Sequence, residues 1–344
     1  MPITRSYSNA FEVVDYTEDL VIVPNQWSLL NEAGLFAEES VSTFTVTFEE
    51  IDKTLGLISD QVRGSKPKAN QDYTRKIRSY SVPHFPIVDA VRPQDVQGKR
   101  AYGSQNVETT DAVIARKVER IRASMDATKE VARWATLANG DIYAPNGTIV
   151  GNYYTDFGVT RKTVSFALGT GTTDVVAKVE EVIAFMQDNQ FSGDVITNVI
   201  GYASPQFFAA LIAHPKVQAA YQYYTATTGQ EILRNRAGHT AGAAGGLYRR
   251  FDFGGITFIE VRNQLAGQKF VADNTVIFVP QGTQDTFVTY FAPANRFDYV
   301  NTLGEKGYMW TFRDQKGEAI DIEAETNFIN VLRRPQLVVG GTVA

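Results

Sequence analysis

Apolar and polar side chains alternate along two early stretches of the chain, residues 41–48 and Asp72–Val82. A period of two is typical of β-strands that bury one face. The stretch between them, Arg63–Asp72, is polar and rich in residues that favour turns. The pattern therefore predicts a long β-hairpin over residues 38–82. A hairpin of this length cannot bury both of its faces against its own domain.

Charge is unevenly distributed along the predicted hairpin. Its first half carries the acidic residues Glu38, Glu39, Glu49, Glu50, Asp52 and Asp60, and its second half the basic residues Arg63, Lys66, Lys68, Arg75, Lys76 and Arg78. Opposite charges on facing strands favour pairing, and they also suit docking of one copy on another. A solvated hairpin of mixed charge would have the same composition. The candidate contacts between subunits are Glu49, Glu50, Asp52, Arg63, Lys66, Lys68, Arg75, Lys76 and Arg78.

The composition of residues 1–37 predicts an N-terminal arm, a segment that lies outside the folded domains. Apolar residues occur there in short bursts among acidic ones, and the pattern predicts one short helix around Trp27–Phe36. A poorly ordered terminus is the plainer interpretation. We favour an arm that docks on a neighbouring copy, because free termini rarely carry this much Val, Ile and Trp.

The clearest helix spans residues 109–138. Its apolar or small positions recur in steps of three and four, which traces one stripe: Ile114, Val118, Ile121, Met125, Thr128, Ala132 and Ala135. Thr109 or Thr110 can cap its start, and Asn139-Gly140 can end it. At 1.5 Å per residue the helix is about 43 Å long. Its other face, which includes Glu130 and Arg133, is predicted to be polar surface. The stripe is too weak for a coiled coil and favours a helix lying along a sheet.

The rest of the chain mixes helices with short strands. Residues 172–189 predict a second amphipathic helix with Val176 among its inward residues, and residues 204–215 predict a helix capped by Ser204. Residues 234–246 are rich in glycine and predict an exposed loop. The last stretch, from Ala319, predicts long extended structure. Helices and largely antiparallel strands without regular βαβ alternation indicate an α+β fold.

The sequence lacks cysteine and the common active-site motifs. It contains no cysteine, which excludes disulfides and Cys-ligated zinc. His84 and His214 adjoin prolines in predicted turns, His239 lies in the predicted loop, and none has a histidine four residues away. No Walker A sequence or G-x-S-x-G elbow occurs. We therefore predict no catalytic, cofactor or metal site and no enzyme, although an enzyme with a site assembled from distant Asp, Glu and Ser residues is a third, weaker hypothesis.

Charge and hydropathy narrow the class of partner. The net charge is −5 and the sequence pI is about 5.4, whereas dedicated nucleic-acid binders usually carry a basic face. A protein that encloses DNA without binding it tightly can carry a small negative net charge, because like charges repel. No apolar run reaches the roughly 18 residues of a membrane span, so no membrane partner is predicted.

Three segments carry a family resemblance. They are His84–Thr109, Tyr290–Gly304 and Ile320–Val339. Together they resemble the lambda-type major capsid proteins of tailed phages, the phage major capsid protein E family. In that family the first segment corresponds to a connector, the second to an acidic β-rich stretch, and the third to a final strand that follows a proline. The resemblance covers about residues 85–344. Its motifs are moderately specific as a set and weak singly.

The resemblance implies the Hong-Kong-97-type capsid fold. The implied divisions are an N-terminal arm (1–37), an extended β-hairpin loop (38–83), a peripheral domain (84–169 and 317–344) with the spine helix 109–138, and an axial domain (170–316). The implied function is a structural head protein that self-assembles as hexamers and pentamers into an icosahedral shell enclosing double-stranded DNA. The alternative is a cellular encapsulin-like nanocompartment shell of the same fold.

Further partners also follow from the resemblance alone. It implies a separate scaffolding protein, a portal and a decoration protein, with packaged DNA contacted non-specifically. The protein would be assembled in the bacterial host cytoplasm and reside in the virion. Lys66 and Lys68 lie at the predicted hairpin tip, but no matching carboxylate and Asn are recognisable, so isopeptide cross-linking is not predicted.

Overall fold

The structure is a computed structural model. It describes residues 28–52, 74–99, 109–143, 148–190, 195–220, 239–241, 247–262, 264–265, 268–283, 285–314 and 316–344. Within these ranges the helices are α1 (Leu29–Ala33), α2 (Pro93–Val96), α3 (Thr110–Asn139), α4 (Tyr153–Phe157), α5 (Val175–Asp188) and α6 (Pro205–Ala213), and residues 215–220 are also helical. Short 3₁₀ turns lie at Phe297–Tyr299 and Pro335–Leu337.

The strands of the described residues are short except for one near the C-terminus. They are β1 (Ala37–Ser40), β2 (Thr45–Asp52), β3 (Thr74–Ser81), β4 (His84–Val91), β5 (Asp141–Tyr143), β6 (Ile149–Asn152), β7 (Thr163–Ser165), β8 (Asn198–Ala203), β9 (His239–Ala241), β10 (Leu247–Phe253), β11 (Ile256–Glu260), β12 (Gln264–Leu265), β13 (Gln268–Lys269), β14 (Thr275–Gln281), β15 (Phe287–Phe291), β16 (Tyr308–Arg313), β17 (Ile320–Leu332) and β18 (Val339–Thr342).

The long helix α3 begins and ends with standard caps. The Thr109 hydroxyl accepts a hydrogen bond from the backbone N–H of Ala112 at 3.3 Å, which satisfies one of the unpaired amides of the first turn. Gly140 ends the helix with φ 74°, a left-handed conformation that glycine adopts without a Cβ clash. A chain of 30 residues makes α3 about 45 Å long. The predicted helix and both of its caps are confirmed.

A five-stranded sheet is organised by the 13-residue strand β17. The first part of β17 pairs antiparallel with β4 and β16, and its last part pairs antiparallel with β15. The short strand β1 adds to β15 in parallel. The N-terminal half of α3 packs on one face of this sheet, where Val113 and Ile121 contact Ile322 and Ala324. The long helix therefore lies along a sheet, as predicted.

A seven-stranded sheet holds a second core. Its strand order is β7-β18-β14-β8-β11-β10-β9. Helices α5 and α6 bury Val179 and Phe207 against Phe258 and Phe278 of this sheet. A third buried cluster joins the two sheets, because Trp134 near the end of α3 stacks on Phe270 and meets Tyr202 of β8.

Several predictions from the sequence are wrong in detail. The predicted first strand of the hairpin is two strands, since β1 pairs with β15 and only β2 pairs with β3. His84 begins strand β4 and does not lie in a turn. Val176 is exposed on α5 instead of facing the core. In the predicted loop 234–246, the described residues form β9, which pairs with β10.

The sheets also exchange strands across the predicted domain boundaries. Strands β15 and β16 lie within residues 170–316, yet both pair with β17 of the C-terminal segment 317–344. Strand β18 lies within that C-terminal segment, yet it pairs with β14 and β7 of the other sheet. Boundaries cut at residues 170 and 317 therefore separate strands that are hydrogen-bonded to each other.

Candidate assembly interface

The hairpin β2–β3 carries the predicted contacts between subunits. Arg63, Lys66 and Lys68 lie outside the described residues, and Glu49, Glu50, Asp52 and Arg75 are described by their strand register alone. In that register Glu50 lies opposite Lys76. The other positions face uncharged partners: Glu49 faces Ile77, Asp52 faces Thr74, Arg75 faces Ile51 and Arg78 faces Phe48. Charge pairing across the two strands, predicted for the whole hairpin, is thus limited to one facing pair among the described residues.

The base of the hairpin packs on its own chain. Val46 is buried in the cluster that joins the two sheets, and Phe48 stacks on Tyr80 and on Phe157 of α4. The Arg78 guanidinium lies 4.1 Å from the centre of the Phe157 ring and donates a hydrogen bond to the carbonyl of Asp156. A cation over a ring face is an attractive arrangement. Arg78, one of the predicted intersubunit contacts, is therefore engaged within the chain.

The opposite face of the hairpin points to solvent. The hydroxyl groups of Thr47 and Ser79 lie 3.2 Å apart across the strands. Ile77 is two residues from Ser79 and shares that face, and it is 69% exposed. Lys76 is exposed as well, but strand alternation places it on the same face as Arg78 and Tyr80. A large aliphatic side chain on the solvent face of a two-stranded ribbon gains nothing from its own chain.

The hairpin root and α1 are tied to α3 by a buried carboxylate. Glu130 is fully buried. Its carboxylate accepts hydrogen bonds from the backbone N–H groups of Leu30 at 2.8 Å and Asn31 at 2.9 Å, and from the Trp134 indole N–H at 2.9 Å. Burial raises the pKa of the Glu130 carboxyl, and these three donors and the charge of Arg133 act in the opposite direction.

One turn along α3, Arg133 holds β1 in place. Its guanidinium is 1% exposed, and it donates to Glu38 at 2.9 Å, to the Asn31 side chain at 2.8 Å and to the Thr289 hydroxyl at 3.0 Å. The Glu38 carboxylate also pairs with Lys129 at 3.7 Å and with Lys306. Burial alone would raise the pKa of Glu38, but the hydrogen bonds from Lys306 and Arg133 and the nearby positive charges lower it to about 2.

Glu38, Glu130 and Arg133 lie in a different environment from the one that the sequence predicted. Glu130 and Arg133 were predicted to lie on the polar surface of the helix, and Glu38 was predicted to belong to the acidic half of the hairpin. All three lie instead at the junction of α1, β1 and α3, because segments distant in sequence cover that face of the helix. The one local signal is Trp134, four residues after Glu130, which indicates that this face of the helix is not solvent.

A second exposed apolar surface lies on the connection between β15 and β16, residues 292–307, called here the β15–β16 loop. Phe297 is 97% exposed, and Val300 and Leu303 of the same loop are also exposed. Beside Phe297 runs a groove of about 390 Å³, lined by this loop and by Ser42, Thr43 and Phe44, which lead into β2. A contiguous apolar patch of this kind marks interaction surfaces in soluble proteins.

Metal-binding clusters are absent from the described residues. Among them, no three His, Asp or Glu residues converge in a way that could hold a metal ion. Likewise, none of the helices in the described ranges is long and apolar enough to cross a membrane.

Solved capsid structures share this fold. The capsid of Myoviridae phage XM1 matches 98% of this chain and 98% of its own with a TM-score of 0.56 at 9% identity. The capsid of cyanophage P-SCSP1u matches 97% of this chain and 93% of its own with a TM-score of 0.55 at 12% identity. At such identities the likeness shows the fold alone. The chain therefore has the Hong-Kong-97-type α+β capsid fold, as predicted.

Sequence relatives give the family. The model of the phage major capsid protein E family matches residues 12–343. The major capsid protein of Pseudomonas phage KPP10 is 44% identical over 98% of this chain and 99% of its own length, and that of Salmonella phage Felix O1 is 27% identical over 98% and 97%. The chain belongs to the phage major capsid protein E family. The predicted structural role in the virion is confirmed, and the phage relatives favour a phage head over a cellular nanocompartment.

Proposed function

We propose that this chain assembles with copies of itself as hexamers and pentamers into an icosahedral shell enclosing double-stranded DNA, with each hairpin extending over a neighbouring copy. The observation that carries the proposal is the two-sided hairpin. Its inner face at the base is buried against the chain through Val46 and Phe48, while its outer face presents Ile77 to solvent. A rigid base with an unpartnered outer face suits a contact supplied by another copy, and shells sum many such contacts.

The charges of the hairpin support the same contact. Lys76 is exposed, and the candidate residues Glu49, Glu50, Asp52, Arg63, Lys66, Lys68 and Arg75 remain proposed intersubunit contacts. Arg78 also remains a proposed contact, and its contacts with Phe157 and Asp156 of its own chain hold its side chain in position. Charged groups at the rim of an interface mainly fix its register and the rate of encounter.

The domain assignment follows the sheets. In our proposal the peripheral domain is α3 with the five-stranded sheet, and the axial domain is the seven-stranded sheet with α5 and α6. Residues 1–37 remain the proposed arm and residues 38–83 the proposed extended loop, although Leu30 and Phe36 at the end of the arm are buried in the core of their own chain and do not dock on a neighbouring copy. This division keeps β15, β16 and β17 together and assigns β18 to the axial domain, since it pairs with β14.

The remaining partners are part of the same proposal. A separate scaffolding protein, a portal and a decoration protein complete the head, which is assembled in the host cytoplasm. DNA is enclosed without specific contacts, which suits a chain of net charge −5. The protein performs no catalysis and needs no cofactor.

Deletion of residues 60–75, replaced by a short Gly-Ser turn, tests the proposal. The variant should lose shell formation in negative-stain microscopy while it keeps the far-UV circular dichroism and cooperative unfolding of the parent chain, because both sheets lie outside the deletion. The matched control inserts the same Gly-Ser turn after Gly317 and retains residues 60–75. Normal shells from the deletion variant would contradict the role given to the hairpin.

A further inference from the structure

The β15–β16 loop presents an apolar side chain, Phe297, called here the knob, at the edge of a groove. Phe297 stands almost fully in solvent, and Val300 and Leu303 of the same loop are also exposed. The groove of about 390 Å³ has Phe297 on its rim and a mixed lining, with Phe44, Pro293, Ala294 and Val300 as its apolar part and Ser42, Thr43, Asn295, Arg296 and Asn301 as its polar part. Its size lies within the range in which proteins take up apolar groups.

The loop is held in this conformation by contacts at both ends and in the middle. The backbone N–H of Asn295 donates to Glu325 at 2.7 Å, and that of Gly304 donates to the Val41 carbonyl at 2.9 Å. A Cβ on Gly304 would lie 2.2 Å from the Phe291 carbonyl oxygen, so the loop crosses the end of β15 more closely than any other residue allows. Tyr299 packs edge-on against Tyr308 at 4.8 Å.

Arg296 fixes the start of the exposed turn. Its guanidinium lies 3.8 Å from the centre of the Trp310 ring and pairs with Glu323 of β17. The turn that carries Phe297 is therefore anchored to the five-stranded sheet on the residue immediately before it. A turn whose backbone is already anchored loses little further backbone entropy when a partner covers it.

We infer that Phe297 of one copy inserts into the groove beside Phe44 of a neighbouring copy, so that the β15–β16 loops form a head-to-tail contact between subunits. This inference rests on the proposed function, since it needs copies of the chain side by side. Phe297 lies on the rim of the groove of its own chain and is 97% exposed, so it leaves that groove open to a side chain from another copy. A contact between two different patches repeats from copy to copy and closes into a ring when the rotation permits.

A second copy is the occupant that the position of the groove favours. One wall of the groove, Ser42 to Phe44, leads directly into β2, so the contact continues the surface of the proposed hairpin interface. Aromatic side chains that fill a pocket at the centre of an interface contribute most of its affinity. The knob therefore adds an apolar anchor to a hairpin contact whose proposed residues are largely charged.

Single-cysteine variants test the contact, because the chain has no cysteine of its own. Phe297→Cys and Ser42→Cys are made in separate chains that differ in mass through a tag, and the two are mixed before assembly. After mild oxidation of the shells, the expected product is the mixed dimer, at least tenfold above the mixed dimer from the control pair Phe297→Cys and Val195→Cys. Separate chains exclude a disulfide within one copy.

An assembly measurement without cysteines complements it. Phe297→Ser should raise the subunit concentration needed for shell formation at least tenfold, whereas Val195→Ser, which changes an exposed apolar residue beside the other sheet, should leave it unchanged. Both variants should unfold like the parent chain when unassembled, because neither side chain is buried.

Four results would overturn the inference. Cross-links between two copies of Phe297→Cys without mixed dimers would show knob against knob. Normal assembly of Phe297→Ser without mixed dimers would remove the contact and leave the proposed function intact. Normal shells of Phe297→Ser that fail to bind another virion protein would assign the patch to that protein. If the unaltered chain forms no shells, the proposed function fails first and the inference fails with it.

Discussion

The two sheet regions of the molecule distribute their apolar and charged groups differently. Around the seven-stranded sheet, aromatic residues such as Phe166, Phe258 and Phe278 pack together in a core that the chain completes by itself. The one buried carboxylate of that sheet among the described residues is Glu260 of β11, which pairs with Arg262 at 2.8 Å. Around α3 and the five-stranded sheet, the apolar core also holds a cluster of charged groups, in which Glu130 and Arg133 are buried. Most of the large apolar side chains that are exposed among the described residues belong to this region and its hairpin: Phe44, Ile77, Val88, Ile149, Val150, Phe297, Val300, Leu303 and Phe312.

The difference separates two roles. A region with its apolar groups inside can fold and remain stable as a single chain. The region around α3 has an apolar core as well, but it also buries Arg133 against the partly exposed Glu38 and leaves apolar groups in solvent. We interpret this charged junction as a device that holds the exposed segments at fixed positions, since an ion pair of this kind adds little net stability. The charged junction of α1, β1 and α3 fixes the root of the hairpin and the end of the β15–β16 loop through Glu38 and its partners.

A matched pair of Phe→Ala substitutions tests this contrast, and one of the two has the largest expected effect on the free energy of unfolding. Phe278 is fully buried and its ring centre lies 5.7 Å from that of Phe166 and 5.9 Å from that of Phe258. Phe278→Ala should lower the free energy of unfolding of the unassembled chain by about 3–5 kcal/mol. Phe297→Ala should change it by less than about 0.5 kcal/mol.

Urea unfolding followed by circular dichroism measures both variants. The control for helix and sheet content is the far-UV spectrum before urea is added. Equal losses from the two substitutions would contradict the distinction between the regions, because they would mean that Phe297 is packed within its own chain.

Removing the buried carboxylate of α3 should have the next largest effect. Glu130→Ala leaves the backbone N–H groups of Leu30 and Asn31 and the indole N–H of Trp134 without their acceptor. Buried donors without partners are costly, and we expect a loss of about 3 kcal/mol in urea unfolding. Glu130→Gln keeps one acceptor oxygen and should lose less.

The matched control for this substitution lies on the same helix. Glu119 is exposed, and Glu119→Ala should change the free energy of unfolding by less than about 0.5 kcal/mol. An equal effect of Glu119→Ala and Glu130→Ala would mean that helix charge, and not the junction with α1, determines the loss.

The sequence predicted local features well and long-range ones poorly. Thr109 and Gly140 bound α3 because their signals, a capping hydroxyl and a left-handed glycine, act within a few residues. The pairing of β1 with β15 joins positions about 250 residues apart in the chain, and no periodicity encodes a partner at that distance. The predicted hairpin therefore included Glu38, which lies in β1 of the five-stranded sheet.

The same limit explains the errors in the candidate site. The charge pattern of the hairpin predicted pairing, but the register depends on the residues at its base, where Val46 and Phe48 face the core. The exposure of Phe297 was not predicted, because a local pattern does not reveal which apolar residues the fold leaves uncovered. The segment Tyr290–Gly304 entered the sequence argument only through its family resemblance.

The pH dependence of stability probes the charged junction alone and has the smallest expected effect. The pKa of Glu38 is about 2 in the folded chain and lies below its ordinary value of 4.5. A carboxyl with a lowered pKa stabilises the fold above its unfolded pKa, and this contribution disappears as the pH falls from about 4.5 towards 2. Glu38→Gln lacks the contribution at every pH, so it should be less stable than the parent chain at pH 7 and should approach it near pH 2.

Urea midpoints of the unassembled chain measured across this range at about 0.15 M salt give the difference, and Glu119→Gln controls for the loss of one carboxylate. A difference between Glu38→Gln and the parent that stays constant from pH 7 to pH 2 would mean that Glu38 acts through its shape and hydrogen bonds, and that charge does not hold β1 on α3.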